Sequence, residues 1–96
     1  MLVVITYDVS TIDPAGIKRL RRVAKVCQDY GLRVQNSVFE CIVNSTELKQ
    51  LKYKLTDIIN EEEDSLRFYN LGENYKSKVV HIGTKDSVDL EDTLFM

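Results

Sequence analysis

Asp8 is the residue whose type and position most suggest chemistry. It closes an apolar run, Leu2 to Ile5 followed by Thr6 and Tyr7, with Val9 just beyond. A carboxylate at the end of a buried strand is costly to desolvate without a partner or a cation. Strand alternation puts Asp8 in line with Leu2, Val4 and Thr6, and Tyr7 on the opposite face. Two readings follow. Asp8 either accepts hydrogen bonds from the turn at Ser10 and Thr11 or faces water, or it holds a divalent cation. One carboxylate is too few for a divalent site, but a two-fold axis makes it two. Two facing Asp8 carboxylates repel unless a cation sits between them. Mg²⁺ (or Mn²⁺) suits such a site, because it takes oxygen ligands and keeps several waters.

Arg33 is a candidate phosphate ligand at the start of a strand, with a surface ion pair as its alternative. Ser37 either bonds a phosphate or caps a hairpin turn. Phe39 either stacks on a base or joins the core. His81 is the only histidine, so a two-histidine mechanism within one chain is excluded. The run Glu61 to Asp64 has acidic side chains pointing in different directions, which reads as a solvated turn. The four glycines are scattered and form no phosphate-cradling loop.

These residues need elements to position them. Met1 to Val9 reads as a central strand covered on both faces, since it lacks polar alternation. Asp13-Pro14 opens a helix. Ile17, Leu20, Val23, Ala24, Cys27 and Tyr30 line one side of it, and Gly31 ends it. Leu32 to Gln35 and Ser37 to Val43 read as two strands turning near Asn36. Asn44 and Glu47 have capping-box spacing at the head of a second helix. Ser65 to Leu71 reads as a fourth strand and Lys78 to Gly83 as a fifth. The expected class is therefore α+β: a ferredoxin-like βαββαβ fold with an extra C-terminal strand, its two helices on one face of an antiparallel sheet. Residues 1–83 would form the domain and residues 84–96 a tail able to dock on a second copy or a partner.

At 96 residues the chain is one domain. Its longest early apolar run is far too short for a membrane span or signal core, so the expected location is cytoplasmic. Cys27 and Cys41 make neither a disulfide framework nor a zinc cluster and read as buried small residues. Charge is segregated: residues 16–54 carry nine basic and three acidic residues, while residues 55–96 carry four and ten. A basic half suits a polyanion; the plainer reading is solvated helix faces. The doubly apolar strands leave an uncovered sheet face, which a second copy would cover, so a homodimer is expected.

The run Met1-Leu2-Val3-Val4-Ile5-Thr6-Tyr7-Asp8-Val9 is similar to the first strand of the second universal CRISPR-associated (Cas) family, which ends in an aromatic-Asp pair. Arg33-Val34-Gln35-Asn36-Ser37-Val38-Phe39 resembles that family's Arg-x-Gln-x-Ser-Val-Phe signature. Lys18 to Lys25 and Arg67-Phe68-Tyr69 look most like the type I-C branch. The resemblance covers essentially the whole chain. It implies a homodimer that joins the CRISPR integrase to insert new spacers for antiviral defence, and a divalent-metal-dependent endonuclease. Duplex DNA is the substrate for some members and single-stranded RNA for others. The family's metal residue carries onto Asp8, and its other functional positions onto Tyr7, Arg33, Ser37 and Phe39. Arg19 falls near a basic position of the family. Three other readings stand beside the enzyme: a non-catalytic DNA-holding scaffold, an RNA-cleaving toxin and a small-ligand regulator, the last without a ligand loop to support it.

Overall fold

A computed structural model describes residues 1–83. The tail at 84–96 lies outside the described residues.

The chain runs β1 (Leu2–Asp8), α1 (Pro14–Gln28), β2 (Gly31–Gln35), β3 (Val38–Ile42), α2 (Ser45–Ile58) and β4 (Ser65–Gly72). The four strands form one antiparallel sheet in the order β2-β3-β1-β4. This is the expected ferredoxin-like arrangement, with β1 paired on both edges.

Local signals set the helix starts. The Asp13 side chain accepts from the Ala15 N–H at 3.0 Å, and Pro14 takes the first helical position. At α2 both halves of the capping box form: the Glu47 N–H donates to Asn44 at 2.8 Å, and the Asn44 N–H donates to Glu47 at 3.0 Å. Each bond satisfies a donor that the first helical turn leaves open.

Both helices pack on one face of the sheet. Val3, Ile5 and Tyr7 from β1 and Phe39 and Cys41 from β3 meet Leu20, Val23 and Cys27 of α1 and Leu51 and Leu55 of α2. Cys27 and Cys41 are buried free thiols. Contact with Cys41 and burial push the Cys27 thiol well above its ordinary pKa.

On the other face, Tyr75 covers Leu2, and Leu32, Ile42 and Leu71 gather against them. Val4, Thr6, Val38 and Glu40 stay partly exposed there. Burial raises the Glu40 pKa, and the nearby His81 charge opposes that rise.

The fifth strand does not form among the described residues. The Lys78 N–H closes a turn onto the Tyr75 carbonyl at 2.8 Å, and the chain beyond has no ladder partner. Val80 and Ile82 are 78% and 90% exposed. The composition favours a strand, but a strand needs an edge to join, and this segment joins none within its own described chain.

Gly31 is required where β2 passes β3. A Cβ there would lie 2.0 Å from the Glu40 carbonyl oxygen and 2.6 Å from the Cys41 Cα. Both are backbone atoms of a paired strand and cannot step aside. Gly31→Ala is expected to lower stability by about 3 kcal/mol, read as a lower urea midpoint with an unchanged slope.

Candidate functional site

At its C-terminal end, β1 divides its side chains between two environments. Tyr7 enters the helix face, and Asp8 stands on the uncovered face.

On the uncovered side, a shallow depression of about 380 Å³ opens across two strands and a turn. Thr6 and Asp8 supply its floor from β1, Ser37 comes from the β2–β3 turn, and Ser65, Arg67 and Tyr69 come from β4. The strand pairing explains the grouping. Asp8 pairs with Ser65 and Thr6 with Arg67, so alternate residues of both strands reach the same face. The Tyr7 N–H donates to the Ser37 carbonyl at 3.0 Å and ties the turn to β1. Asp8 is exposed. Among the described residues its carboxylate has no hydrogen bond or ion pair, so Ser10 and Thr11 do not satisfy it.

Among the described residues, no three His, Cys, Asp or Glu side chains gather to hold a metal ion. The depression does offer hard oxygen donors: one free carboxylate and the hydroxyls of Thr6, Ser37 and Ser65. That donor set suits Mg²⁺ or Mn²⁺, provided further oxygens come from water, a phosphate or a second copy.

On the covered side, Asp64 is the hub. Its carboxylate is 0% exposed and faces Arg19, whose side chain is 14% exposed. Arg19 Nε and Nη2 donate to the two carboxylate oxygens at 2.9 and 3.0 Å, a bidentate fork. The Tyr7 hydroxyl donates to the same carboxylate, and the Asn60 N–H donates to it at 3.0 Å. Burial alone would raise the Asp64 pKa, but these donors outweigh it and hold the group below the usual carboxylate range. Burial, then the Asp64 contact, pushes the Tyr7 hydroxyl up to about 12. The solvated turn expected over Glu61 to Asp64 is thus corrected at its last residue, which is buried and bonded to α1.

The structure separates the other candidates. Arg33 donates from Nε to the Asn36 carbonyl at 2.8 Å and from Nη2 to Asn36 Oδ1 at 3.2 Å. Its guanidinium also lies 5.8 Å from the centre of the Phe39 ring. Phe39 is 0% exposed and offers no face to a base. Arg33 and Phe39 therefore sit together on the covered side, away from Asp8. Arg19 and Tyr7 meet at Asp64. Of the candidates other than Asp8, only Ser37, with Tyr7 at its margin, lines the Asp8 depression.

Sequence reasoning missed Asp64, and Arg67 and Tyr69 as neighbours of Asp8. The alternation Ser65, Arg67, Tyr69 was visible in the strand, but only the register against β1 reveals what it faces.

Comparison with known proteins agrees with this fold. The family profile described as "CRISPR associated protein Cas2" matches residues 1–79. A protein of Halalkalibacterium halodurans named "CRISPR-associated endonuclease Cas2" is 68% identical over 94 residues, covering 98% of each chain. One of Nitratidesulfovibrio vulgaris named "CRISPR-associated endoribonuclease Cas2" is 53% identical, covering all of this chain and 94% of its own. The crystal structure of Streptococcus pyogenes Cas2 at pH 6.5 superposes with a TM-score of 0.81 at 58% identity, covering 86% of this chain and 100% of that one. The chain belongs to the CRISPR-associated Cas2 family.

Proposed function

We propose that this chain is a metal-dependent phosphodiester endonuclease that works as a cytoplasmic homodimer with the CRISPR integrase during spacer integration. The observation that carries the reading is the unpartnered Asp8 carboxylate in an open, hydroxyl-lined depression at the end of the central strand. Relatives named endonuclease and endoribonuclease support a nuclease, and its substrates are taken to be duplex DNA, single-stranded RNA or both.

Asp8 would hold the divalent ion, and the hydroxyls of Ser37 and Ser65 would bond the substrate backbone or its water. When bound, such an ion neutralises phosphate charge and makes a water more acidic. The covered-side node of Tyr7, Arg19 and Asp64 keeps the end of β1 in place, and so aims Asp8.

Two features favour a dimer. The uncovered sheet face keeps Val4 and Val38 partly exposed, and Val80 and Ile82 project an apolar segment without a partner in the described chain. A second copy would cover both and bring a second Asp8 to the first. No helix among the described residues is long and apolar enough to cross a membrane.

Cleavage of duplex DNA and single-stranded RNA with Mg²⁺, Mn²⁺ or chelator tests the reading, with Asp8→Ala beside the wild type and light scattering on both. Metal-dependent cleavage lost in a still-dimeric variant is expected. Equal cleavage by the variant would remove Asp8 from the chemistry, and a monomer at micromolar concentration would remove the shared site.

A second reading is a DNA-holding scaffold without catalysis. Its support is the exposed basic face of α1, where Lys18, Arg21, Arg22 and Lys25 are exposed. Binding would then fall steeply with salt, show little sequence preference and survive Asp8→Ala.

A further inference from the structure

We propose that Arg67 is the phosphate-holding side chain of the Asp8 depression, and that Tyr69 positions it. This rests on the reading of the chain as one that handles nucleic acid.

Thr6 pairs with Arg67, and Asp8 with Ser65, on adjacent antiparallel strands. Arg67 therefore stands diagonally from Asp8 on the same face, at about 7–8 Å between backbones, within reach of a long side chain. A phosphate drawn to this depression meets the negative charge of Asp8. A fixed cation beside it offsets that repulsion, and Arg67 is the arginine that lines the depression.

Its bonding state fits the role. Arg67 is exposed, and its one hydrogen bond among the described residues runs from Nη1 to the Tyr69 hydroxyl at 3.2 Å. No described carboxylate lies within ion-pair distance. A guanidinium has five N–H donors, so four remain for phosphate oxygens. The Tyr69 contact holds the protonated form more firmly than usual.

The other two candidate arginines are already engaged. Arg19 has its fork on Asp64. Arg33 bonds Asn36 twice and lies over the Phe39 ring. Freeing either for a phosphate would break contacts that hold the fold, whereas Arg67 needs only to keep or release a phenol. Tyr69 sits two residues on, on the same face, where its hydroxyl accepts from Arg67 and orients the fork.

The test is retention of a labelled DNA duplex and a labelled RNA single strand in chelator, over a range of salt concentrations. Arg67→Ala is expected to weaken both by roughly tenfold and to reduce the salt slope by about one. Arg67→Lys should restore the slope but not the full affinity, since an ammonium lacks the bidentate fork. Tyr69→Phe should give a smaller loss with the slope unchanged. Arg33→Ala should bind within about twofold of wild type once its folded fraction is matched.

Wild-type binding with Arg67→Ala unchanged in affinity and slope would overturn this assignment and leave the nucleic-acid reading standing. A wild type that retains neither probe at low salt would overturn both. Loss of the dimer in Arg67→Ala by light scattering would make Arg67 an interface residue and also overturn the assignment.

Discussion

Replacing Asp64 by alanine is expected to cost about 1–3 kcal/mol of folding stability, the range for leaving hydrogen-bond donors without their acceptor. The variant leaves the mostly buried Arg19 guanidinium with only the exposed Glu63 carboxylate, at 3.4 Å. It also strands the Tyr7 hydroxyl and the Asn60 N–H, which have Asp64 as their shared acceptor. Asp64→Asn keeps the shape and one oxygen and should lose less. Urea unfolding at neutral pH measures both, and a loss under about 1 kcal/mol for the alanine variant would mean that solvent screens the node after all.

Acid should expose the same group. The folded pKa of Asp64 lies below its ordinary value. A depressed carboxylate stabilises the fold above the unfolded pKa of about 4, and that contribution is lost as pH falls through the folded value. Wild type should therefore lose stability more steeply than Asp64→Asn in that acid window.

The other large effect belongs to Asp8. Removing a single outer-shell partner of a catalytic metal typically costs tenfold to a hundredfold, so loss of a direct ligand should cost a hundredfold or more. The informative species is a mixed dimer of one wild-type chain and one Asp8→Ala chain, isolated with two different affinity tags. If two carboxylates share one cation, the mixed dimer should cut almost as poorly as the doubly substituted one. Half of wild-type activity would show that each Asp8 works alone and would sink the shared-cation reading.

What the sequence could reveal divides by the range of the signal. Asp13, Pro14, Asn44 and Glu47 act within four residues of themselves, and their caps formed as read. The order of elements along the chain followed from apolar runs and the helices between them. Val79 to Ile82 misled because β-branched residues encode a liking for an edge without saying whose edge it is. Asp64 misled for the opposite reason. It ends an acidic run typical of a wet turn, yet its partner Arg19 is 45 residues away in sequence. Arg33 looked like a ligand by type, but the Asn36 turn occupies it locally. Asp8 stood out because a lone carboxylate ending an apolar strand is an anomaly on any pattern.

The position of β1 also bears on how the chain must be made. β1 is synthesised before both of the strands that flank it in the sheet, β3 and β4. One edge of β1 finds its partner only when Val38–Ile42 has been synthesised, and the other must wait for Ser65–Gly72. Until then its N–H and C=O groups lack their final ladder, and Leu2 to Ile5 is a bare apolar edge of the kind that pairs with other chains. Such late-closing, long-range pairing slows folding and prolongs that exposure. The catalytic candidate Asp8 thus ends a strand that stays unfinished until Ser65–Gly72 has been made.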